Sequence, residues 1–174
     1  MALTVATPRN TPAYRLGAVA LLAAMVAIAT AWGFELIGGY APCPLCLMQR
    51  WAYYAGIPAL FAALVLQTTD RERAAGLIFF LVSIAFLSNA GLGVYHAGAE
   101  WKFWDGPQTC SGAAALASSA GDLLKDLSTA RVVRCDEAAV RILGLSFAGW
   151  NVIASFILSM ITLKAAFHSS DPRI

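Results

Sequence analysis

The chain carries little charge for its length. Only 13% of its 174 residues are charged, whereas 59% are hydrophobic, and a soluble domain is nearer a quarter charged and half apolar. This apolar surplus is too large to bury in a single small core, so the composition indicates a membrane protein. The net charge is +2 and no long basic run is present, which argues against a nucleic-acid partner.

Several cofactor and processing signals are also absent from the sequence. No glycine-rich dinucleotide fingerprint follows a strand pattern, so a bound NAD or flavin is not indicated. The haem attachment run Cys-x-x-Cys-His does not occur. No clear small-x-small cleavage site follows the first apolar run before Pro42, so we interpret that run as a membrane helix rather than a cleaved secretory signal.

Four apolar runs are present, and each can cross a membrane as a helix. Each is close to the ~20 residues that span the hydrocarbon, and backbone groups in lipid must be hydrogen-bonded internally, which favours helices. The sequence therefore predicts an all-α membrane protein, a four-transmembrane-helix bundle that forms a single domain over residues 1–174. The predicted helices cover about residues 16–37, 47–66, 77–95 and 145–167.

A long loop separates the third and fourth predicted helices, over about residues 96–144. Long loops without repeats tend to be functional. Part of this loop has leucines on one side and charges on the other, which predicts a short helix lying on the membrane surface. A short solvated helix on the loop is the alternative. The leucines of this segment are Leu116, Leu123, Leu124 and Leu127.

The cysteines all fall in the first and third connections, which an even number of crossings places on one side of the membrane. They are Cys43, Cys46, Cys110 and Cys135. Their shared side is easiest to explain if it is oxidising. Lysine and arginine are equally numerous on the two sides, but those of the termini and the second connection lie closer to the helix ends. This distribution predicts cytoplasmic termini.

Cys43 and Cys46 form a Cys-x-x-Cys pair at the start of the second predicted helix. Such a pair can close into a disulfide and reopen, so it can carry two electrons. Pro44 suits the first helical position, which makes Cys43 the N-cap. The helix N-terminus and Arg50, one turn further on, both favour a thiolate at Cys46. We therefore predict that Cys46 is the more acidic thiol, although Cys43 shares the effect of the helix dipole.

The electron acceptor most available at a bilayer edge is a lipid-soluble quinone. Arg50 is well placed to stabilise negative charge as such a ring is reduced; the alternative is an interfacial arginine that reaches lipid phosphates. His96 could assist proton transfer to the reduced quinone, or it could be an interfacial histidine bonded to a backbone carbonyl.

Two other uses of the cysteines stay open. Cys110 and Cys135 could form an exposed disulfide that a partner attacks, or a purely structural disulfide in a non-enzymatic membrane protein. A zinc site would combine Cys43 and Cys46 with Cys110 and Cys135 or His96. No second Cys-x-x-Cys is present and two prolines flank the first, so we predict no metal site.

The pattern as a whole closely resembles the bacterial disulfide-bond formation protein B (DsbB) family. The resemblance rests on four helices, on the run Cys-x-x-Cys-x-x-Gln-Arg over residues 43–50, and on a second cysteine pair in the long loop. It extends from about Leu16 to Phe167. The position of Gln49 varies in the family, so the resemblance assigns Gln49 no role.

The resemblance implies a protein thiol to quinone oxidoreductase in the bacterial inner membrane, with its cysteines on the periplasmic side. A reduced thioredoxin-like periplasmic oxidase (DsbA-like) would attack Cys110, and electrons would pass through Cys110 and Cys135 to Cys43 and Cys46. Cys46 would meet the quinone, a ubiquinone or menaquinone of the membrane pool. Arg50 and His96 would lie beside the ring, and the quinol would leave to the respiratory chain.

Overall fold

The computed structural model describes residues 11–69, 71–106, 135, 138 and 140–170. Within these residues four long helices account for most of the chain, and each is long and apolar enough to cross a membrane. The predicted fold class is confirmed, and the chain is a multi-pass membrane protein. The elements are α1 (Pro12–Leu36), α2 (Pro44–Thr68), α3 (Glu72–Glu100), β1 (Arg141–Ile142), β2 (Leu145–Ser146) and α4 (Phe147–Ser170).

Several helix ends differ from the prediction. The third helix was predicted over 77–95 but runs from Glu72 to Glu100, so His96 lies inside it and the following loop begins after 100. The fourth helix begins at Phe147 rather than 145, because Leu145 pairs with Ile142 in a two-stranded antiparallel hairpin. The predicted surface helix of the long loop lies outside the described residues.

Backbone geometry explains where α3 ends. Lys102 adopts a left-handed φ of 61°, the Phe103 N–H donates to the Gly98 carbonyl at 3.0 Å, and the Lys102 N–H donates to the Ala99 carbonyl at 3.1 Å. These two bonds form a Schellman motif, which satisfies the last carbonyls of the helix. The chain then folds back, and a Cβ on Gly98 would lie only 2.0 Å from the ring of Trp104.

The four helices pack as a bundle in which α1 and α3 each contact both α2 and α4. Small and polar residues form the α3–α4 contact: Ser83 Oγ donates to the Ser159 carbonyl at 3.1 Å and Ser159 Oγ returns a bond to the Ser83 carbonyl at 3.0 Å. Asn89 Nδ2 donates to Ser155 Oγ at 2.9 Å. Such contacts hold helices together in lipid, where apolar burial gives little driving force.

The outward faces of the helices carry large exposed apolar side chains, as lipid-facing surfaces do. They include Leu22, Val26, Phe61, Leu77, Leu81 and Phe156. The first connection and the β1–β2 hairpin meet at one end of the bundle, where α1 and α3 end and α2 and α4 begin. All the functional candidates that the structure describes lie at this end.

Candidate redox site

The beginning of α2 holds the first cysteine pair. Cys43 is the N-cap and Pro44 follows at the first helical position, which confirms the predicted local structure. Cys43 Sγ accepts a hydrogen bond from the Cys46 N–H at 3.2 Å, and the two sulfur atoms are 2.7 Å apart. Both are free thiols, so the pair stands in its reduced form and is placed to close into a disulfide.

The contacts that stabilise a thiolate converge on Cys43. The hydrogen bond from the Cys46 thiol is the main cause that lowers the pKa of Cys43 from 9.0 to about 5; burial opposes it, and the nearby His96 adds to it. The prediction that Cys46 is the more acidic thiol is therefore wrong for this reduced pair. The N-cap position turns the sulfur of residue 43 back onto the first turn, where Cys46 acts as the donor.

His96 of α3 lies between this pair and a polar network. The residue is 2% exposed, and its Nε2 atom is 3.6 Å from Cys43 Sγ. Its Nδ1 atom is 3.2 Å from the amide nitrogen of Gln49. Asn151 of α4 donates in turn to Gln49 Oε1 at 3.0 Å. The ring is therefore bonded to a side chain, not to a backbone carbonyl as the interfacial alternative supposed.

Sequence reasoning missed Gln49 and Asn151. Their contribution comes from contacts between helices, since 47 residues separate Gln49 from His96 and 102 separate it from Asn151. A signal was nevertheless available, because polar side chains inside membrane segments are costly and commonly functional. Gln49 is 5% exposed, in agreement with that rule.

Arg50 extends from the next position of α2 towards α1. Its Nη1 atom donates to Glu35 Oε2, and the Arg50 side chain is only 12% exposed. Both residues line the same cavity as Cys46. This placement puts a cation on the wall of the cavity that the thiols line, and it adds a carboxylate partner that the sequence did not reveal.

A cavity of about 420 Å³ opens beside the cysteine pair. This volume falls in the range of small-molecule sites, which are typically apolar with a few convergent polar groups. Here the polar groups include Cys43, Cys46, Gln49, Arg50, His96, Glu100, Glu35 and Asn151, and much of the remaining wall is apolar: Ala27, Ile28, Ala31, Phe34, Phe147 and Ala154. The cavity therefore has the chemistry to hold a flat apolar ring with oxygen substituents next to a thiol and a guanidinium.

The structure also brings one cysteine of the second predicted pair to this site. Cys135 is disulfide-bonded and 1% exposed, and it packs in one buried cluster with Cys43 and Leu45. Cys110 lies outside the described residues, so its pairing with Cys135 stays a prediction. In this state Cys135 is disulfide-bonded and does not offer a thiolate to a metal. Among the described residues, Cys43, Cys46 and His96 place their ligand atoms within 4.8 Å of one another.

Comparison with known proteins gives consistent matches over most of the chain. The family model of disulfide bond formation protein DsbB matches residues 14–165. A disulfide bond formation protein B of Cupriavidus necator is 30% identical over 156 residues, which cover 87% of this chain and 89% of that protein.

Two further relatives match at similar lengths. A disulfide bond formation protein B of Herminiimonas arsenicoxydans is 28% identical over 159 residues, which cover 86% of this chain and 92% of the relative. An uncharacterized protein of Rickettsia prowazekii is 26% identical over 145 residues, which cover 82% of this chain and 81% of the relative. No solved structure matches the chain significantly.

Proposed function

The chain belongs to the DsbB family of disulfide bond formation proteins, and from this premise we propose that it oxidises a thioredoxin-like dithiol protein (DsbA-like) and passes the electrons to a membrane quinone. The protein would reside in the bacterial inner membrane. Both termini would be cytoplasmic, and the cysteine end of the bundle would face the periplasm, where disulfides form and persist.

One observation carries this proposal: the reduced Cys43–Cys46 pair lies between an oxidised cysteine and an apolar cavity. Cys135 belongs to the same buried cluster as Cys43, and both thiols of the first pair line the cavity with Arg50. A pair that only braced a loop would need neither a stabilised thiolate nor an adjoining cavity. A redox relay needs both, since the thiolate is the reacting form of cysteine.

The proposed transfer begins with thiol–disulfide exchange. A thiolate of the partner attacks Cys110, forms a mixed disulfide with it and releases Cys135 as a thiolate. The second thiol of the partner then attacks the mixed disulfide, so the partner leaves oxidised and Cys110 is freed. Two electrons and two protons have passed from the partner to the Cys110–Cys135 pair, and each step exchanges one S–S bond for another.

The second exchange moves the same electrons to the first pair. The Cys135 thiolate attacks Cys43 of an oxidised Cys43–Cys46 disulfide and releases Cys46. Cys110 then attacks Cys135, which restores the Cys110–Cys135 disulfide and frees Cys43. This choice of sulfur is supported by the buried cluster that holds both Cys135 and Cys43, against which Cys46 is only partly buried. The end state has a free first pair and an oxidised Cys135, as the described residues do.

The cavity fits the oxidant that the family implies. A bound quinone supplies an acceptor for two electrons and two protons. Cys46 and Arg50 would hold its ring, with the guanidinium placed for the charge that develops on oxygen. Glu35 keeps that guanidinium directed into the cavity through its ion pair. The apolar residues of α1 and α4 would exclude water from the ring, and His96 would orient the Cys43 thiolate through its Nε2 atom.

The experiment uses purified protein in lipid nanodiscs, an added short-chain quinone and a reduced thioredoxin-like dithiol protein. The wild type should consume quinone, as measured by ultraviolet absorbance, and Cys46→Ser should abolish this consumption. Arg50→Gln should raise the KM for quinone ~10-fold, because a lost charge-assisted bond costs at least ~1.5 kcal/mol. Lys164→Gln, an exposed cation of α4 far along the helix, is the matched control and should behave as the wild type.

The non-enzymatic alternative predicts a different outcome. If the disulfides only brace the loop, the wild type leaves the quinone unchanged at every concentration of the dithiol protein, and the Cys46→Ser variant is indistinguishable from it. That result would end the proposal.

A further inference from the structure

A buried carboxyl at the end of α3 has no place in the relay described so far. Glu100 is 8% exposed and lines the cavity beside the thiol pair. One of its oxygens, Oε1, is 3.7 Å from His96 Nε2. The other, Oε2, is buried and has no hydrogen-bond partner among the described residues. A half-paired carboxyl is costly to bury, so packing alone does not explain it.

Both ring nitrogens of His96 already have a contact. Because Asn151 donates to Gln49 Oε1, the amide nitrogen of Gln49 faces Nδ1 of His96, and that ring nitrogen accepts. The ring proton then lies on Nε2, the atom that faces both Cys43 and Glu100. A further proton on Nδ1 would therefore point at the amide N–H of Gln49.

Proton balance requires a second carrier near the pair. Conversion of a dithiol to a disulfide gives up two electrons and two protons. Cys46 carries one of these protons on its sulfur, where it donates to Cys43. The hydrogen bond from Cys46 lowers the pKa of Cys43 to about 5 and so favours its thiolate form, which carries no proton. If the site is to deliver both protons with both electrons, another group must hold the proton that Cys43 lacks.

We propose that Glu100 is this proton carrier: its carboxyl is protonated when the Cys43–Cys46 pair is reduced and ionised when the pair is oxidised. The proposal rests on the proposed function and deepens it. In the reduced state the site holds a thiolate, a thiol and a carboxylic acid. In the oxidised state it holds a disulfide and a carboxylate, and two electrons and two protons have left together. The total charge of the site is the same in both states.

The surroundings of Glu100 support a carrier that can exchange its proton. The β1–β2 hairpin contacts it, since Ser146 of β2 is hydrogen-bonded to the carboxyl. Ser146 is buried, whereas the hairpin from Arg141 to Gly144 is exposed, so the carboxyl lies one short element from water. The titratable and charged groups that face it are His96, Cys43, Cys46 and Arg141.

The test measures how the reduction potential of the Cys43–Cys46 pair depends on pH, in protein without quinone. For each proton taken up with the two electrons, the equilibrium constant of reduction changes tenfold per pH unit, and the reduction potential shifts by ~30 mV. The wild type should take up two protons and show a slope of ~59 mV per pH unit between about pH 6 and pH 8. The Glu100→Gln variant should take up one proton and show a slope of ~30 mV per pH unit. Thiol redox buffers, alkylation and mass spectrometry give the potential of this pair alone.

The controls make the outcome decisive. Asp105→Asn removes an exposed carboxyl near the same end of α3 and should keep the slope of the wild type. A wild-type slope of ~30 mV per pH unit, or an unchanged slope in Glu100→Gln, would overturn the proposal. The wild-type slope decides even if the variant does not fold. Because no quinone is present, failure here leaves the quinone assay unaffected, and failure of the quinone assay leaves this slope interpretable.

Discussion

Replacing Cys46 should change the pKa of Cys43 in a way that depends on the new side chain. The thiol of Cys46 is the largest cause that lowers this pKa from 9.0 to about 5. A hydrogen bond to a charged group contributes ~1.5–3 kcal/mol, and a pKa unit corresponds to about 1.36 kcal/mol. Cys46→Ala should therefore raise the pKa of Cys43 by ~1–2 units, whereas Cys46→Ser keeps a donor at that position and should leave it low.

Both variants retain the backbone N–H of residue 46 and the contact with His96, so they differ only in the side-chain donor. Cys43 is then the one free cysteine among the described residues, and its alkylation rate or ultraviolet thiolate absorbance can be titrated directly. At neutral pH the serine variant should react faster than the alanine variant. Equal pKa values in the two variants, or an ordinary pKa in the serine variant, would refute the N-cap account of this thiolate.

Three further predictions follow from the same contacts. Because the pKa of Cys43 is about 5 in the fold and 9.0 ordinarily, the unfolded chain binds more protons between these values; the reduced protein should thus lose stability as pH falls from 9 towards 5. Melting curves of reduced wild type and Cys43→Ala should diverge with pH, and parallel profiles would contradict this. Asn89→Ala removes the bond to Ser155 and should cost ~1 kcal/mol, seen as a lower Tm; an unchanged Tm would show that the bond contributes nothing. Gln49→Leu frees the His96 ring and should raise the pKa of Cys43 in an alkylation titration, whereas an unchanged value would mean that His96 holds its position without Gln49.

The four helices could be predicted from the sequence because long apolar runs leave few alternatives in a membrane. The positions at which these helices begin and end could not be predicted in this way. After Tyr95 the third helix continues through small residues and a glutamate whose hydropathy does not distinguish helix from loop. The end of α3 is set by packing against Trp104 and by the left-handed backbone of Lys102. Both depend on how the chain folds back, which local composition does not encode.

The residues of the site also fall into two groups, those that the sequence could predict and those that it could not. Cys43, Cys46 and Arg50 follow one another on α2, so their proximity could be read from spacing on one helix. Glu35 and Asn151 reach the site from α1 and α4. Their polarity within apolar runs marks them as candidates, but no local pattern places them beside the cysteines. Glu100 is intermediate, since it lies four residues after His96 and must share its face. The acidity of Cys43 was misassigned because the helix dipole and Arg50 were weighed, but the donor role of Cys46 was not.

The central claim is that electrons from a dithiol protein leave through Cys43 and Cys46 to a quinone. The most direct measurement counts both products in one vessel: disulfides formed in the thioredoxin-like protein and quinol formed in the nanodisc. We expect one quinol for each disulfide, and neither product with Cys46→Ser. Disulfides that accumulate without quinol, or quinol that still forms in the variant, would contradict the account.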